Sequence, residues 1–182
     1  MGYPNDRRMP EYQYSQNDLS QLAACAKRVT EAPRREMKAE GAYRRNDFEL
    51  ESTDGRHQFK AFFRQNQTFP ENFSLGLDYL PGTGGRFPIL RVNGPHGDCN
   101  RSFDPSHPHT SPHVHRMIAE DLANGILKAR NATVSNEYAS FEQAVPYFLK
   151  LINLVEGVSE YFEPYRQMAL SFSNGEENQE TP

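Results

Sequence analysis

A run of alternating apolar and polar residues constrains the fold of this chain more than any other feature of its sequence. Between Phe73 and Tyr79 every second residue is aliphatic or aromatic, and polar or small residues lie between them. Side chains two apart point to the same side of a β-strand, so this period predicts a strand with one buried face. The sequences at 53–55 and 81–85 are typical of turns between antiparallel strands.

The same alternation recurs in the flanking segments and predicts a meander. We expect strands over 47–51, 59–64, 73–79 and 87–92, with 113–118 as a candidate fifth strand. The segment 126–130 is ambiguous between helix and strand, and 34–41 favours a short exposed helix or a loop.

Two further segments have the period of an amphipathic helix. The first begins after Ser15 and is expected to end at Pro33, and the second begins after Ser140 and is expected to reach Val155. A proline inside a helix removes a hydrogen bond, so we expect a kink or a restart at Pro146. The sequence therefore predicts an α+β fold, an antiparallel meander of four to five strands packed against an N-terminal and a C-terminal helix.

The 182 residues favour one domain with polar ends. We expect a loose N-terminal arm over 1–14, a single α+β domain over 15–163 and an acidic, disordered tail over 164–182. The mean hydropathy of -0.82 is consistent with solvated ends.

Cysteine usage and hydropathy suggest a cytoplasmic protein that does not enter a membrane. Cys25 and Cys99 lie far apart without CxxC spacing, which favours reduced thiols. The chain has neither an apolar run of about 18 residues nor an N-terminal signal sequence. The sequence leaves the oligomeric state open.

Five of the six histidines fall between positions 96 and 115, in the segments NGPHGDCN and HPHTSPHVH. His113 and His115 are two residues apart on the candidate fifth strand, so their imidazoles are expected to project from one face. Such a pair can divide general-base and general-acid work, because imidazole titrates near neutral pH. Neutral imidazoles on one face can also bind a transition metal.

The segments FFRQNQTFPENFSLGLDY, ILRVNGPHGDCN and SPHVHR resemble a bacterial and phage-associated family. In that family a strand ends in R-x-N-G-x-H, an Asn follows, and p-H-x-H lies downstream on another strand. The resemblance covers roughly 48–154 and implies an α+β domain without a settled activity. Its motif layout is distantly similar to small ribonuclease-like toxins of toxin–antitoxin pairs. Members usually keep only the final histidine pair, so the roles of His107 and His109 stay open.

The leading hypothesis is a metal-independent endoribonuclease-like toxin or phage-conflict protein without a cofactor. RNA supplies its own nucleophile, the 2′-hydroxyl, so the enzyme needs a base, an acid and a cation for the phosphate. Imidazoles supply the first two, an arginine holds the phosphate, and asparagines orient them. The candidate catalytic residues are His96, His113, His115, Arg91, Arg116, Asn93 and Asn100.

A metal-binding hydrolase is an alternative hypothesis. In it His96, His113 and His115 hold one transition metal ion and leave a coordination position open. His107 and His109 lie in a proline-rich loop and are interpreted as solvated surface residues.

A basic segment suggests a partner despite the formal net charge of -4. In the ribonuclease hypothesis it tracks RNA phosphates, or it binds a neutralising protein. Its candidate nucleic-acid-binding residues are Lys27, Arg28, Arg34, Arg35, Lys38, Arg44 and Arg45. A second alternative is a non-enzymatic phage or prophage interaction protein that blocks or senses a host complex.

Overall fold

Nine strands form one sheet in the computed structural model, which describes residues 12–96 and 108–163. The strands are β1 (Lys27–Glu31), β2 (Lys38–Glu40), β3 (Tyr43–Ser52), β4 (Gln58–Asn66), β5 (Phe73–Leu80), β6 (Phe87–Asn93), β7 (His113–Arg116), β8 (Asn131–Val134) and β9 (Leu154–Glu156). The helices are α1 (Gln16–Ala24), α2 (Ala119–Ala123), α3 (Phe141–Leu151) and α4 (Val158–Tyr161), and a single 3₁₀ turn spans Pro108–Thr110.

The strand order is β8-β7-β6-β5-β4-β3-β1-β9, with β2 paired to β3. Every pairing is antiparallel except β1 with β9. The α+β class is confirmed, and β3 to β7 contain the expected meander. The sheet has more strands than the sequence predicted, because β1, β2, β8 and β9 are added at its two sides.

One face of the sheet, here called the core face, carries the aromatic core. Phe48, Phe63 and Leu75 lie on it and are at most 1% exposed. The ring of Phe63 meets those of Phe148 from α3 and Phe162 after α4, at centroid distances of 6.0 and 5.8 Å. Edge-to-face packing of this kind adds to the free energy gained by burying the rings. The helices therefore cover the face that the alternation predicted to be buried.

The N-terminal helix is shorter than predicted. Ser15 caps it in the expected capping box with Asp18, but α1 ends at Ala24 instead of reaching Pro33. The next residues form β1, in which Val29 lies opposite Leu50 of β3. An apolar residue at helical spacing can equally lie in a β-strand. Here the pairing of β1 with β3 overrides the helical pattern of the local sequence.

The C-terminal helix begins as predicted, with the Ser140 hydroxyl accepting a hydrogen bond from the backbone of Gln143. It runs through Pro146 as one helix, so the expected restart does not occur. It ends at Leu151, and the expectation that it reaches Val155 is wrong. Val155 lies in β9 and is 52% exposed.

The expected arm and tail fall largely outside the described residues. Of the arm only 12–14 are described, and Tyr12 is buried against Phe87 with ring centroids 4.9 Å apart. Among the helices of 12–96 and 108–163, none has the length and apolar character needed to cross a membrane.

Candidate metal centre

The opposite face of the sheet, here called the polar face, orders its side chains in two rows of cross-strand partners. The first row runs across β3 to β8 as Asp47, Phe62, Gly76, Arg91, His115 and Ala132. The second row runs beside it as Arg45, Arg64, Ser74, Asn93, His113 and Val134. Directly opposed residues have Cβ atoms about 4.5–5.5 Å apart. The register therefore brings histidines, an asparagine and arginines onto one surface.

Four imidazoles meet at the β7 end of these rows. The rings of His113 and His115 have centroids 4.8 Å apart, as do the stacked rings of His109 and His113. His96 completes the cluster, 4.7 Å from His109 and 5.0 Å from His113. A backbone hydrogen bond of 2.8 Å from His96 N to His109 O ties the 3₁₀ turn to the residues after β6.

His109, His113 and His115 have the arrangement of a ligand set. One ring nitrogen from each lies within 4.8 Å of the other two. Nitrogens bound to a tetrahedral Zn²⁺ at about 2.0–2.1 Å lie roughly 3.3 Å apart, so side-chain movements on the order of 1 Å would close the set. Three protein ligands leave a fourth position for water or substrate.

The surroundings of His113 fix the orientation of its ring. Nδ1 lies 2.7 Å from the Ser111 carbonyl oxygen, which can only accept, so the proton is assigned to Nδ1. Nε2 then carries the lone pair and accepts a hydrogen bond of 3.3 Å from the amide nitrogen of Asn93, which a metal bound at Nε2 would displace. A carbonyl that orients a histidine in this way is the usual outer partner of a metal ligand.

Burial keeps the central imidazoles neutral. His113 is 0% exposed and His115 is 8% exposed. Burial and the neighbouring histidines together lower the pKa of His113 to about 4, against the opposing effect of the hydrogen bond to Ser111. Burial, His109 and His96 likewise lower the pKa of His115 to about 4. Neutral imidazoles offer lone pairs to a metal, whereas a general acid needs a protonated ring near pH 7.

The strands that carry the site are held together at the same point. The hydroxyl of Tyr138 lies 3.0 Å from the Asn93 carbonyl and 2.8 Å from the His113 carbonyl, so it bridges β6 and β7. Gly94 follows β6 where a Cβ would collide with the Glu71 carbonyl and the ring of Phe73. Only glycine fits this close approach, which fixes where β6 ends.

Two buried polar atoms at the site, the side-chain oxygen of Asn93 and Nδ1 of His115, have no hydrogen-bond partner among the described residues. Buried polar atoms are nearly always paired, so such an atom suggests a bound group. A water held between the imidazoles would supply the missing donor.

The structure brings together most of the predicted catalytic residues. His96, His113, His115 and Asn93 meet in the cluster, and Arg91 lies directly opposite His115. Arg116 pairs with the core-face residue Leu90 and alternates with His115, so its side chain is on the other face and cannot hold a phosphate at this site. Asn100 lies outside the described residues.

The sequence interpretation missed His109. A histidine in a proline-rich loop favoured a solvated residue, yet His109 lies in the 3₁₀ turn with its ring against His113. The position of His109 depends on a backbone hydrogen bond between the two ends of the loop. No local sequence pattern reveals that bond. His107 lies outside the described residues.

The predicted basic surface is divided. Lys27 is 0% exposed, and its ammonium group donates to the carbonyls of Ala23, Cys25 and Ile152. It therefore cannot contact a nucleic acid. Arg44 and Arg45 alternate on β3, so they point to opposite faces.

Of the remaining basic residues, Lys38 lies directly opposite Arg45 across β2 and β3 and shares its face of the sheet. Arg28 forms a salt bridge with Glu51 at 2.5 Å. The backbone of Arg34 forms two hydrogen bonds with the side chain of Asn46. Arg35 and Lys38 are exposed.

The described residues thus define a two-layer α+β protein with a histidine centre on the polar face of its sheet. No family model, curated protein or solved structure matches the chain. The resemblance noted in the sequence therefore stays a prediction.

Proposed function

We propose that this protein is a metal-dependent hydrolase whose centre is formed by His109, His113 and His115. The observation that carries the proposal is the convergence of three ring nitrogens within 4.8 Å of one another. The buried, unpaired oxygen of Asn93 beside His113 supports it, since a metal-bound water would donate to that atom.

The chemistry follows from a three-histidine set. Held by His109, His113 and His115, a Zn²⁺ ion would lower the pKa of a coordinated water to about 7 and so supply a nucleophile at neutral pH. Hydrolysis then joins the water oxygen to the electrophilic atom of an ester. The ester bond breaks with its electron pair on the leaving oxygen, and that oxygen takes the proton that the water lost.

Two other readings of the histidines are less well supported. The metal-independent ribonuclease requires one imidazole to act as an acid, and the two strand histidines are buried and neutral. The interaction protein requires no such cluster. A zinc centre agrees with three observations: the histidines are buried, they are neutral, and a carbonyl orients His113.

The proposal is tested by metal analysis of protein purified without a histidine tag. We expect one equivalent of Zn²⁺ to bind after titration, and less than about a tenth of that occupancy in His109→Gln, which changes the most exposed ligand and so preserves the fold. His57→Gln is the matched control, because His57 hydrogen-bonds Tyr79 away from the cluster.

The metal-loaded protein is then assayed with p-nitrophenyl acetate and with bis(p-nitrophenyl) phosphate. We expect hydrolysis of at least one ester that is lost on chelation and restored by Zn²⁺. Saturable zinc binding that His109→Gln and His115→Gln both leave unchanged would overturn the assignment of the ligands. A fully loaded protein that hydrolyses neither ester would overturn the hydrolase.

A further inference from the structure

Arg91 lies beside the histidine centre on the polar face, and its guanidinium group reaches toward Phe62 and Asp78. It is the direct cross-strand partner of His115, and both side chains belong to the first row of that face. Its side chain is 34% exposed, so it combines partial burial with access from outside. The guanidinium carbon lies 5.0 Å from the ring centroid of Phe62, which fixes the arm of the arginine against the sheet.

The guanidinium of Arg91 has almost no hydrogen-bonding partners. Within 12–96 and 108–163 it makes no hydrogen bond, and its nearest carboxylate oxygen, Asp78 Oδ1, is 3.5 Å away. That oxygen is itself buried without a hydrogen bond in the same residues. By contrast, Arg45 donates three hydrogen bonds of 2.8 to 3.1 Å to Asp47, and Arg130 donates two to Asp121. A guanidinium group has five N–H donors, so Arg91 can bind an oxyanion without breaking an existing hydrogen bond.

The charges near Arg91 favour an anion. Burial lowers its pKa, Asp78 raises it, and Arg45, Arg86 and Arg64 lower it by repulsion. Three cations therefore act on Arg91 against one carboxylate, although Asp47 neutralises Arg45. Arg64, Arg86 and Arg91 against Asp78 leave these surroundings positive, which favours an anionic phosphate ester. The planar fork of arginine also matches two phosphate oxygens, which a carboxylic ester lacks.

We infer that Arg91 binds the phosphate of the substrate and that the substrate class is a phosphodiester. This inference rests on the proposed function, because the bond to be broken must lie between Arg91 and the metal. The water oxygen bonds to phosphorus, one P–O bond breaks, and the products are an alcohol and a phosphate monoester. Arg91 is a binding residue in this scheme and takes no proton.

The first test measures binding of inorganic phosphate by calorimetry, with zinc-free and zinc-loaded protein. Arg91→Lys keeps a cation beside Asp78 but loses the fork, and we expect it to weaken phosphate binding about tenfold, the loss of one charge-assisted hydrogen bond. Arg116→Lys is the matched control, because Arg116 is exposed on the opposite face of β7, and it should bind within about twofold of the unsubstituted protein.

A double variant guards against misfolding. Arg91→Gln with Asp78→Asn removes both charges together, so no unpaired carboxylate is left buried, and we expect phosphate binding to disappear while the melting curve stays cooperative. Equal phosphate affinity in the unsubstituted protein, Arg91→Lys and the double variant would overturn the inference.

The outcomes separate the two proposals. Phosphate binding that depends on Arg91 in protein that takes up no zinc would retain the anion site and remove the metal centre. Zinc-dependent hydrolysis of p-nitrophenyl acetate alone would retain the hydrolase and overturn the phosphodiester.

Short single-stranded RNA and DNA of the same sequence distinguish the source of the phosphodiester. Cleavage of both, reduced about tenfold in Arg91→Lys, supports a nucleic-acid substrate. Cleavage of bis(p-nitrophenyl) phosphate without either oligonucleotide supports a small phosphodiester.

Discussion

Each face of the sheet holds a partly or fully buried cation, and the two cations have opposite surroundings. Lys27 on the core face donates to three backbone carbonyls at 2.8, 2.8 and 3.0 Å and lies 4.7 Å from the centroid of Phe59. Among the residues that the structure describes, the guanidinium of Arg91 on the polar face makes a 3.5 Å ion pair with Asp78 and lies 5.0 Å from the ring centroid of Phe62, without a hydrogen bond. A buried cation whose protons are all hydrogen-bonded within the fold has no donor left for a ligand. A partly buried cation whose N–H donors are unused is available to bind a ligand.

The same contrast extends to the neighbouring aromatic residues. Phe62 and Phe63 are consecutive in β4 and point to opposite faces. Phe63 lies among four other phenylalanine rings, whereas Phe62 lies over Gly76 between the guanidinium groups of Arg45 and Arg91. Substitutions on the core face should therefore lower stability, and those on the polar face should change binding.

The largest expected effect is that of Phe63→Ala. Truncating a fully buried phenylalanine leaves a cavity among rings that cannot close around it, so we expect a loss of about 3–5 kcal/mol in the free energy of unfolding. The paired variant Phe62→Ala should lose about 1–2 kcal/mol, because water and the adjacent arginine side chains can occupy the space. Urea denaturation measures both, and equal losses would remove the distinction between the faces.

The core face is the part that the sequence could predict. Alternation between 73 and 79 and the turn at 53–55 specify which side of each central strand is buried and which strands are neighbours. Short strands such as β8 and β9 carry too few residues for a period to appear. Their formation depends on partners distant in sequence, which explains why they were missed.

The polar face could be predicted only in part. His113 and His115 share a face by their spacing alone, and that expectation requires no partner. The position of Arg91 opposite His115 depends on the register of β6 with β7, which a connection of about twenty residues does not fix. His109 enters the site through one backbone bond to His96, so neither residue type nor spacing could have indicated it.

Lys27→Met is expected to have the second largest effect. Methionine keeps the apolar stem but leaves three carbonyls without hydrogen-bond donors. We expect the free-energy cost of those carbonyls to exceed the gain from no longer burying a charge. We expect a net loss of about 1–3 kcal/mol at pH 7. Zinc and phosphate binding should be unchanged, and a variant as stable as the unsubstituted protein would show that the carbonyls find other donors.

Stability should also rise with pH through Lys27. Burial lowers the pKa of Lys27 to about 8 from its ordinary value of 10.5, so the unfolded chain binds the proton more tightly than the folded chain. Stability therefore increases as pH rises between these two values, by about 1–2 kcal/mol from roughly pH 7.5 to 9.5. Urea midpoints across this range measure the effect. Lys27→Met should flatten the profile, and an unchanged slope would assign it to another group.

The smallest change in stability is expected for Arg91→Lys. The ammonium group can remain near Asp78, and the existing ion pair is long and partly exposed, so the free energy of unfolding should change by less than about 0.5 kcal/mol. The reverse exchange, Lys27→Arg, forces a larger planar group into a closed site and should cost about 1–3 kcal/mol. Thermal and urea unfolding of the two variants compare the same pair of residue types on the two faces. A loss for Arg91→Lys as large as that for Lys27→Arg would mean that Arg91 is held by the fold as firmly as Lys27, and its donors would then not be available to a phosphate.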